Sequence, residues 1–476
     1  VEKLMLATTG NNTLALAGVT GATTLGLTAN TQTITGFDLG TTIELSGAAT
    51  ATVTAADATG ASDTLKIRQK LNGSVDNVIN AVAGIENISV EVYDTAGTTN
   101  VAGFTLTGFR GTTATFTQNA LSNNAVTVDM AGTTLYKTVD TITATGLKGP
   151  FTATATNALN AVTMNVQGAG IQTLAGGSKA DTFTIGSTGA ITHAITGNGG
   201  KDITNITAAA GLANVGSIDT ETINITIPVA IDNTYSTSFG TGVDYVNVIG
   251  GNSLSTVAVG AIVDAVKTVN AGEFLGNITA TIANDKLDST VTITGGPLLT
   301  DVVSNTVATA ATTYSMNSTG VESLALTVTA AAASTVNTAT AIGLGAIVVT
   351  QGNSATQTVT VAGLTGAETI TLQASDDATA GANEHILVAS LADSTGSTDS
   401  IKFKVGSGTV DAGARLQTVD IETVNLNADA AADLDLTNLS MATAGATKTL
   451  NVTGDSALIV SGLGADVTTV NASGMS

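Results

Sequence analysis

One short block recurs from one end of the chain to the other, and it limits the fold more than any other feature. The block is an apolar residue, an acidic residue and a small polar residue, followed by alternating apolar and polar residues. Alternation with a period of two is the pattern of a β-strand with one buried face. Copies of this block lie at residues 1–6, 85–90, 220–225, 321–326 and 421–426, and a shorter copy lies at 367–370. Short strands repeated in this way predict a stack of similar β units.

A second recurring block places an aspartate directly before an alternating stretch. Its copies begin at Asp63, Asp181, Asp202, Asp244 and Asp399. Aspartate suits such a turn, because its carboxylate can accept a hydrogen bond from a backbone N–H two residues further on.

The two blocks occur together in two places with the same spacing. An Asp-x-x-Gly-x-x-Asp loop precedes the glutamate of the first block, once within residues 57–86 and once within residues 393–422. We interpret these segments as two copies of one supersecondary unit. The chain also begins on a strand block and ends within a Val-Asn-Ala block that occurs earlier at residues 269–271. We therefore expect it to be a fragment of a longer repetitive protein.

The composition favours β structure built in many small units. The chain has 476 residues, of which 43% are hydrophobic but only 3% are aromatic. A single large core would draw much of its burial from aromatic residues. Threonine, valine and isoleucine are frequent, and they favour strands. We predict an all-β fold, an elongated right-handed parallel β-solenoid or β-roll-like array with about 20–25 residues per coil. The alternative is a series of tandem small β-sandwiches.

The predicted organisation has three parts. Residues 1–150 form a β-rich repeat segment, residues 151–310 a β-rich segment with glycine–aspartate turns, and residues 311–476 a second β-rich repeat segment. Residues 71–83 alone show some helical spacing of apolar residues, which predicts one short helix.

Charge and residue types exclude several classes of function. The formal net charge is −22, whereas nucleic-acid binding needs a basic surface. The chain has no cysteine, so it has neither disulfides nor thiolate metal sites. No apolar run is long enough for a membrane span, and we expect no membrane insertion. The two histidines, His193 and His385, do not form a metal-binding or catalytic motif. We therefore expect that the protein is not an enzyme.

Two stretches match a nine-residue calcium-binding template, G-G-x-G-x-D-x-U-x. They lie at residues 176–184 and 197–205. Glycine permits the tight turn, and the aspartate carboxylate and turn carbonyls supply the oxygen ligands that Ca²⁺ prefers. Lys179 stands where the first stretch should have glycine, and Thr204 is polar where the second should be apolar. The candidate site residues are Gly176, Gly177, Asp181, Gly197, Gly200 and Asp202.

The two Asp-x-x-Gly-x-x-Asp loops are further candidates for calcium. Each brings two carboxylates to one loop, from Asp57 and Asp63 in the first copy and from Asp393 and Asp399 in the second. At all of these loops the alternative is a plain turn in which aspartate accepts backbone hydrogen bonds. Gly295, Gly296 and Asp301 form a poorer match to the nine-residue template.

Taken with the repeated strand blocks and the acidic, cysteine-free composition, these motifs resemble bacterial surface-layer proteins and giant RTX-type calcium-binding repeat proteins. The resemblance implies secretion by a type I route without an N-terminal signal, and folding outside the cell on meeting calcium. It also implies location at the bacterial cell surface and self-assembly with copies of the same chain into a lattice. A cell-surface polysaccharide is a second candidate partner. The expected function is a structural segment of a calcium-stabilised surface-layer protein. The alternatives are a stalk of a secreted RTX-type adhesin and, last, a carbohydrate-active β-helix enzyme.

Overall fold

The fold is taken from a computed structural model, in which the chain divides into two compact units, Val1–Asn247 and Val248–Ser476. The three-part organisation expected from the sequence stays a prediction. The structure describes the whole chain except residues 1–2, 7–9, 18, 20, 29, 46–48, 56–59, 61, 72–76, 84, 95–103, 110, 119–125, 130–138, 169, 188–192, 209–213, 231–233, 241, 263–265, 288–290, 310–311, 330–332, 353–356, 377–384, 407–409, 431, 437–438 and 440–447.

The first unit consists of short strands. They are β1 Lys3–Leu6, β2 Asn12–Ala15, β3 Thr24–Leu27, β4 Asn30–Phe37, β5 Thr42–Leu45, β6 Ala49–Ala55, β7 Thr64–Leu71, β8 Asn77–Ala83, β9 Asn87–Asp94, β10 Phe104–Phe109, β11 Thr113–Gln118, β12 Val126–Asp129, β13 Thr141–Leu147, β14 Phe151–Thr154, β15 Thr163–Gly168, β16 Gln172–Ala175, β17 Thr182–Ser187, β18 His193–Thr196, β19 Ile203–Thr207, β20 Asn214–Asp219, β21 Thr222–Ile227 and β22 Thr234–Phe239. The boundary between the units falls within β23, Tyr245–Gly250.

The second unit is built in the same way. Its strands are β24 Thr256–Ile262, β25 Thr268–Phe274, β26 Asn277–Ile282, β27 Thr292–Thr294, β28 Val302–Val307, β29 Thr313–Thr319, β30 Ser323–Val328, β31 Ser334–Ile342, β32 Ala346–Gly352, β33 Gln357–Leu364, β34 Thr369–Asp376, β35 His385–Leu391, β36 Ser400–Val405, β37 Val410–Val419, β38 Thr423–Ala428, β39 Ala432–Leu436, β40 Thr449–Gly454, β41 Leu458–Leu463 and β42 Thr469–Met475.

The pairing of the strands defines each unit as a parallel β-solenoid. Within a unit, each strand pairs in parallel with the strand two further along the chain, as β15 does with β17 and β36 with β38. Odd-numbered and even-numbered strands therefore form two sheets, which the pairing of Ser375 on β34 with Val410 on β37 joins, and the chain passes from one sheet to the other at each corner of a coil. This confirms the predicted parallel β-solenoid, and the tandem β-sandwich alternative was wrong. Among the described residues there is no helix that could cross a membrane.

The helix predicted within residues 71–83 was also wrong. The described part of that segment is the end of β7 at Leu71 and the strand β8, which pairs with β6 and β10. A short apolar run fits either period, and here the neighbouring coils determine its conformation.

Apolar ladders fill the interior of the first unit. Ile142, Met164 and Phe183 occupy equivalent positions on successive coils, and all three are fully buried. The ladder continues to Thr204 on the next coil, whose buried hydroxyl lies 2.9 Å from that of Thr220. Burial of identical positions on coil after coil replaces the single large core that the scarcity of aromatic residues argued against.

Asparagine ladders run along the outside of both units. Asn224 donates its side-chain amide to Asn205 over 2.8 Å, and Asn451 does the same to Asn425 over 3.0 Å. Because coils stack in register, each amide can donate to the coil before it and accept from the coil after it.

The length of a coil varies. Thr163 lies opposite Thr182, so that coil takes 19 residues, whereas Thr369 lies opposite Lys402, so that coil takes 33. The sheets keep their register, and the corners absorb the difference in length.

The interior ladder predicts unequal effects of two neighbouring substitutions on β17. Phe183→Ala should lower the free energy of unfolding by about 3–5 kcal/mol, because it leaves a cavity between two coils. Thr184→Ala, on the outward face of the same strand, should change it by less than about 1 kcal/mol. Urea unfolding followed by circular dichroism measures both, and equal losses would contradict the assigned faces of the strand.

Candidate functional site

Most of the acidic residues singled out in the sequence occupy one kind of structural position, the last residue of a corner before a strand begins. Glu86 precedes β9, Asp181 precedes β17, Asp202 precedes β19 and Glu221 precedes β21. The aspartate block and the glutamate block are thus the same position on different coils. We call these residues the corner carboxylates. In the second unit they precede β28, β30, β34, β36 and β38 and are Asp301, Glu322, Glu368, Asp399 and Glu422.

Most corner carboxylates accept a backbone hydrogen bond from the coil before them. In the first unit, Asp202 Oδ1 accepts the N–H of Asp181 over 2.7 Å, and Glu221 Oε2 accepts the N–H of Asp202 over 2.6 Å. Asp181 Oδ1 in turn accepts the N–H of Val162 over 2.7 Å. The result is a continuous chain of carboxylate-to-amide bonds across four coils. These bonds satisfy N–H groups at corners, where the strand ladder ends and buried donors need another partner.

The same contact occurs in the two Asp-x-x-Gly-x-x-Asp copies. Glu86 Oε2 accepts the N–H of Asp63 over 2.9 Å, and Glu422 Oε2 accepts the N–H of Asp399 over 2.8 Å. Both pairs are 23 residues apart in sequence. The two segments interpreted as copies therefore make the same contact at the same sequence distance.

The poorer match to the nine-residue template has the same geometry as the better one. Gly177 donates its N–H to Asp181 Oδ2 over 2.6 Å, and Gly296 donates its N–H to Asp301 Oδ2 over 2.6 Å. Asp301 also accepts the N–H of Ile278 over 2.8 Å. Both carboxylate oxygens of each aspartate therefore accept backbone hydrogen bonds, one from its own loop and one from the coil before.

The glycines of these loops are required for space. A Cβ at Gly176 would overlap the carboxylate of Asp181, and one at Gly197 would overlap that of Asp202. Neither glycine has a positive φ, whereas Gly200, the fourth residue of the second template, has φ 120°. Glycine and aspartate occur together because the carboxylate folds back against the glycine.

Burial raises the pKa of four corner carboxylates. Asp202 is 1% exposed, and burial, followed by the charges of Glu221 and Asp181, raises its pKa to about 6. Burial likewise raises the pKa of Asp181 and of Asp301. Burial and the charge of Asp301 raise the pKa of Glu322. Stacking like charges on successive coils thus opposes the stability that their hydrogen bonds supply.

The predicted calcium loops differ in how well they suit a cation. At Asp181 both carboxylate oxygens face N–H donors, which is not the arrangement of a Ca²⁺ ligand. At Asp63 and Asp399 the Oδ2 atom is buried and has no hydrogen-bond partner. Asp393 is exposed, and its Oδ1 accepts the N–H and the hydroxyl of Thr395. Asp57 lies outside the described residues.

No group of three or more histidine, aspartate or glutamate side chains that could hold a metal is found in the described part of the chain. Calcium binding at the predicted loops stays a prediction.

Both histidines lie inside the solenoid, each stacked on a buried glutamine of the preceding coil. His193 begins β18, and its Nδ1 accepts the N–H of Gln172 over 3.2 Å. His385 begins β35 and pairs with Gln357. Burial lowers the pKa of His193 to about 4. Sequence reasoning found no motif at either histidine and missed the glutamine on the preceding coil. In the sequence, this pairing appears only as a spacing between a glutamine and a histidine, and that spacing varies with the length of the coil.

Comparisons with known protein families, with curated proteins and with solved structures find no match to this chain.

The hydrogen bonds of the corner carboxylates predict different effects on stability when aspartate is replaced by asparagine at Asp181 and at Asp202. Asp181→Asn should lower the free energy of unfolding by about 1–3 kcal/mol, because an amide supplies only one acceptor for two N–H donors. Asp202→Asn should leave it unchanged or raise it at pH 7.5, because the carbonyl still accepts the Asp181 N–H while a buried charge is removed. Urea unfolding of both variants checks this. Equal destabilisation would contradict the assigned acceptors.

His193 predicts a loss of stability in mild acid. Its pKa is about 4 when folded against an ordinary value of 6.5, so the unfolded chain binds the proton more tightly between those values. Its contribution is complete above pH 6.5 and is lost as the pH falls towards 4. His193→Asn keeps an acceptor near Nδ1 without a titrating group, so its melting temperature should fall less over this range. A constant difference from wild type between pH 7 and pH 4 would refute the assignment.

Proposed function

We propose that the chain is a structural segment of a secreted, calcium-stabilised bacterial surface-layer protein that assembles into a cell-surface lattice. The observation that carries the proposal is that the buried acidic residues accept backbone hydrogen bonds between coils. Asp181, Asp202, Glu221, Asp301 and Glu322 serve the backbone of the solenoid itself, as acceptors that join one coil to the next. Because these carboxylates accept backbone hydrogen bonds, they stabilise the solenoid. They are not arranged as a free acid and a free base on either side of a cleft.

The histidines support a structural role in the same way. His193 is 1% exposed and His385 is 3% exposed, so neither reaches a substrate at the surface. A catalytic histidine must lie within hydrogen-bond reach of a reacting group. The composition and the motifs of this chain resemble those of surface-layer proteins, and this resemblance agrees with a non-enzymatic role.

Calcium enters the proposal at the two Asp-x-x-Gly-x-x-Asp loops. Asp63, which directly precedes β7, and the corner carboxylate Asp399 each have a buried Oδ2 atom without a hydrogen-bond partner. A buried carboxylate oxygen without a partner is costly, and a bound cation removes that cost. Asp393 lies on the same exposed loop as Asp399 and brings a second carboxylate to that loop. Backbone carbonyls and water would supply the remaining oxygens, since Ca²⁺ takes six to eight.

Assembly is tested with the purified chain at millimolar Ca²⁺ and, in parallel, with excess chelator. Negative-stain electron microscopy should show ordered sheets with calcium and dispersed particles after chelation. A chain that stays monomeric in calcium and binds whole cells would instead be an adhesin stalk, which would overturn the lattice function.

The calcium loops are tested by the dependence of the melting temperature on Ca²⁺. Binding to the folded state alone should add about 2.7 kcal/mol at a calcium concentration 100-fold above Kd. Asp399→Asn should remove part of that gain. Asp455→Asn removes one exposed carboxylate elsewhere in the same unit and should leave the calcium response unchanged. An identical melting temperature in calcium and in chelator would contradict calcium stabilisation.

A further inference from the structure

A groove of about 280 Å³ lies on the outer face of the even-numbered sheet in the second unit. It is lined by Val348, Thr371, Gln373, Lys404, Gly406 and Asp429. These residues belong to four successive coils of one sheet, because Val348 pairs with Thr371 and Thr371 with Lys404, while Asp429 directly follows β38.

A β-bulge forms one wall of the groove. On β32 and β34, Val349 pairs with Leu372 and Thr350 pairs with Ala374, so Gln373 has no partner residue on the previous coil. Gln373 is exposed. A bulge of this kind redirects a side chain away from the regular alternation of the strand.

A glycine forms the floor. Leu372 pairs with Val405 and Val405 with Ala428, so Gln373, Gly406 and Asp429 follow at one level on successive coils. A Cβ at Gly406 would lie 3.0 Å from Thr371 Cγ2 and 3.5 Å from Gln373 Cα, and would therefore fill this floor. With neighbouring strands ~4.8 Å apart, the backbones of Gln373 and Asp429 are roughly 10 Å apart. A slot of that width accepts one small ring.

Apart from Val348, the side chains that line the groove are polar, and together they carry no net charge. Lys404 Nζ lies 2.6 Å from Asp429 Oδ2, with both side chains about two-fifths exposed. The ammonium group supplies donors, the carboxylate supplies acceptors, and the Gln373 amide supplies both. Thr371 adds a hydroxyl. This set matches a neutral ligand with several adjacent hydroxyl groups, since an ionic ligand would have to displace the ion pair.

We propose that this groove binds a single neutral sugar unit. The proposal deepens the proposed surface function by naming a class of partner, and it rests on that function only for the source of the sugar. The volume lies just below the range of pockets for drug-sized ligands, which suits one ring and not an extended chain buried along its length.

The test is titration calorimetry of the whole chain with soluble glucose, galactose, rhamnose and N-acetylglucosamine, each at up to tens of millimolar. At least one should bind wild type with a millimolar dissociation constant. Gly406→Leu should abolish binding, because it fills the floor, and Asp429→Asn should weaken it about tenfold. Gly345→Leu is the matched control: Gly345 lies at a corner of the same unit, a Cβ there meets nothing closer than 3.8 Å, and binding should persist.

Thermal unfolding of each variant separates loss of the groove from loss of the fold. Gly406→Leu should keep a melting temperature within a few degrees of wild type, and if it does not, Asp429→Asn alone tests the groove. Absence of binding by every sugar, or equal binding by wild type and Gly406→Leu, would overturn the proposal. The titration uses free sugars, so a failure to bind them does not bear on calcium-dependent lattice assembly, which microscopy tests. In the same way, a failure to assemble does not bear on sugar binding.

Discussion

The hydrogen bond between a corner carboxylate and the backbone N–H of the coil before it is the interaction on which the architecture depends. Parallel strands satisfy each other's backbone groups along their length, but the chain must leave one sheet and enter the other twice in every coil. At those corners the regular ladder stops while the backbone is still buried. Side chains supply the missing acceptors. The carboxylate of Asp202 accepts the N–H of Asp181, and the carboxylate of Glu422 accepts the N–H of Asp399.

This arrangement accounts for part of the acidity of a chain with few charged residues. Only 11% of the residues are charged, yet acids outnumber bases by 37 to 15. A side-chain acceptor for a backbone N–H can be a carboxylate, an amide oxygen, a hydroxyl or a neutral imidazole nitrogen, and a carboxylate offers two acceptor atoms without a donor of its own. The cost is the burial of the carboxylates and, second to it, the stacking of like charges, which raise the pKa of Asp202 to about 6. Glycines beside the acids make room for the carboxylates, as at Gly176 and Gly197.

The strands and their acidic starting points could be predicted from the sequence, because both are local patterns. Alternation located β9, β21, β30 and β38, and the acid before each one marked the corner. The stacking of one acid on another could not be predicted. It depends on register between coils, and coil length ranges from 18 residues, where Thr24 pairs with Thr42, to 33, with no local mark of where a coil closes. The helix predicted within 71–83 failed for the same reason, since pairing with β6 and β10 overrides a short ambiguous pattern.

The central claim is tested most directly by site-resolved hydrogen exchange of the corner amides. If carboxylates hold these N–H groups, the amides of Val162, Asp181 and Asp202 should exchange as slowly as the ladder amides of β17 at pH 7. Exchange of all three at the rate of exposed loop amides, with β17 still protected, would contradict the account.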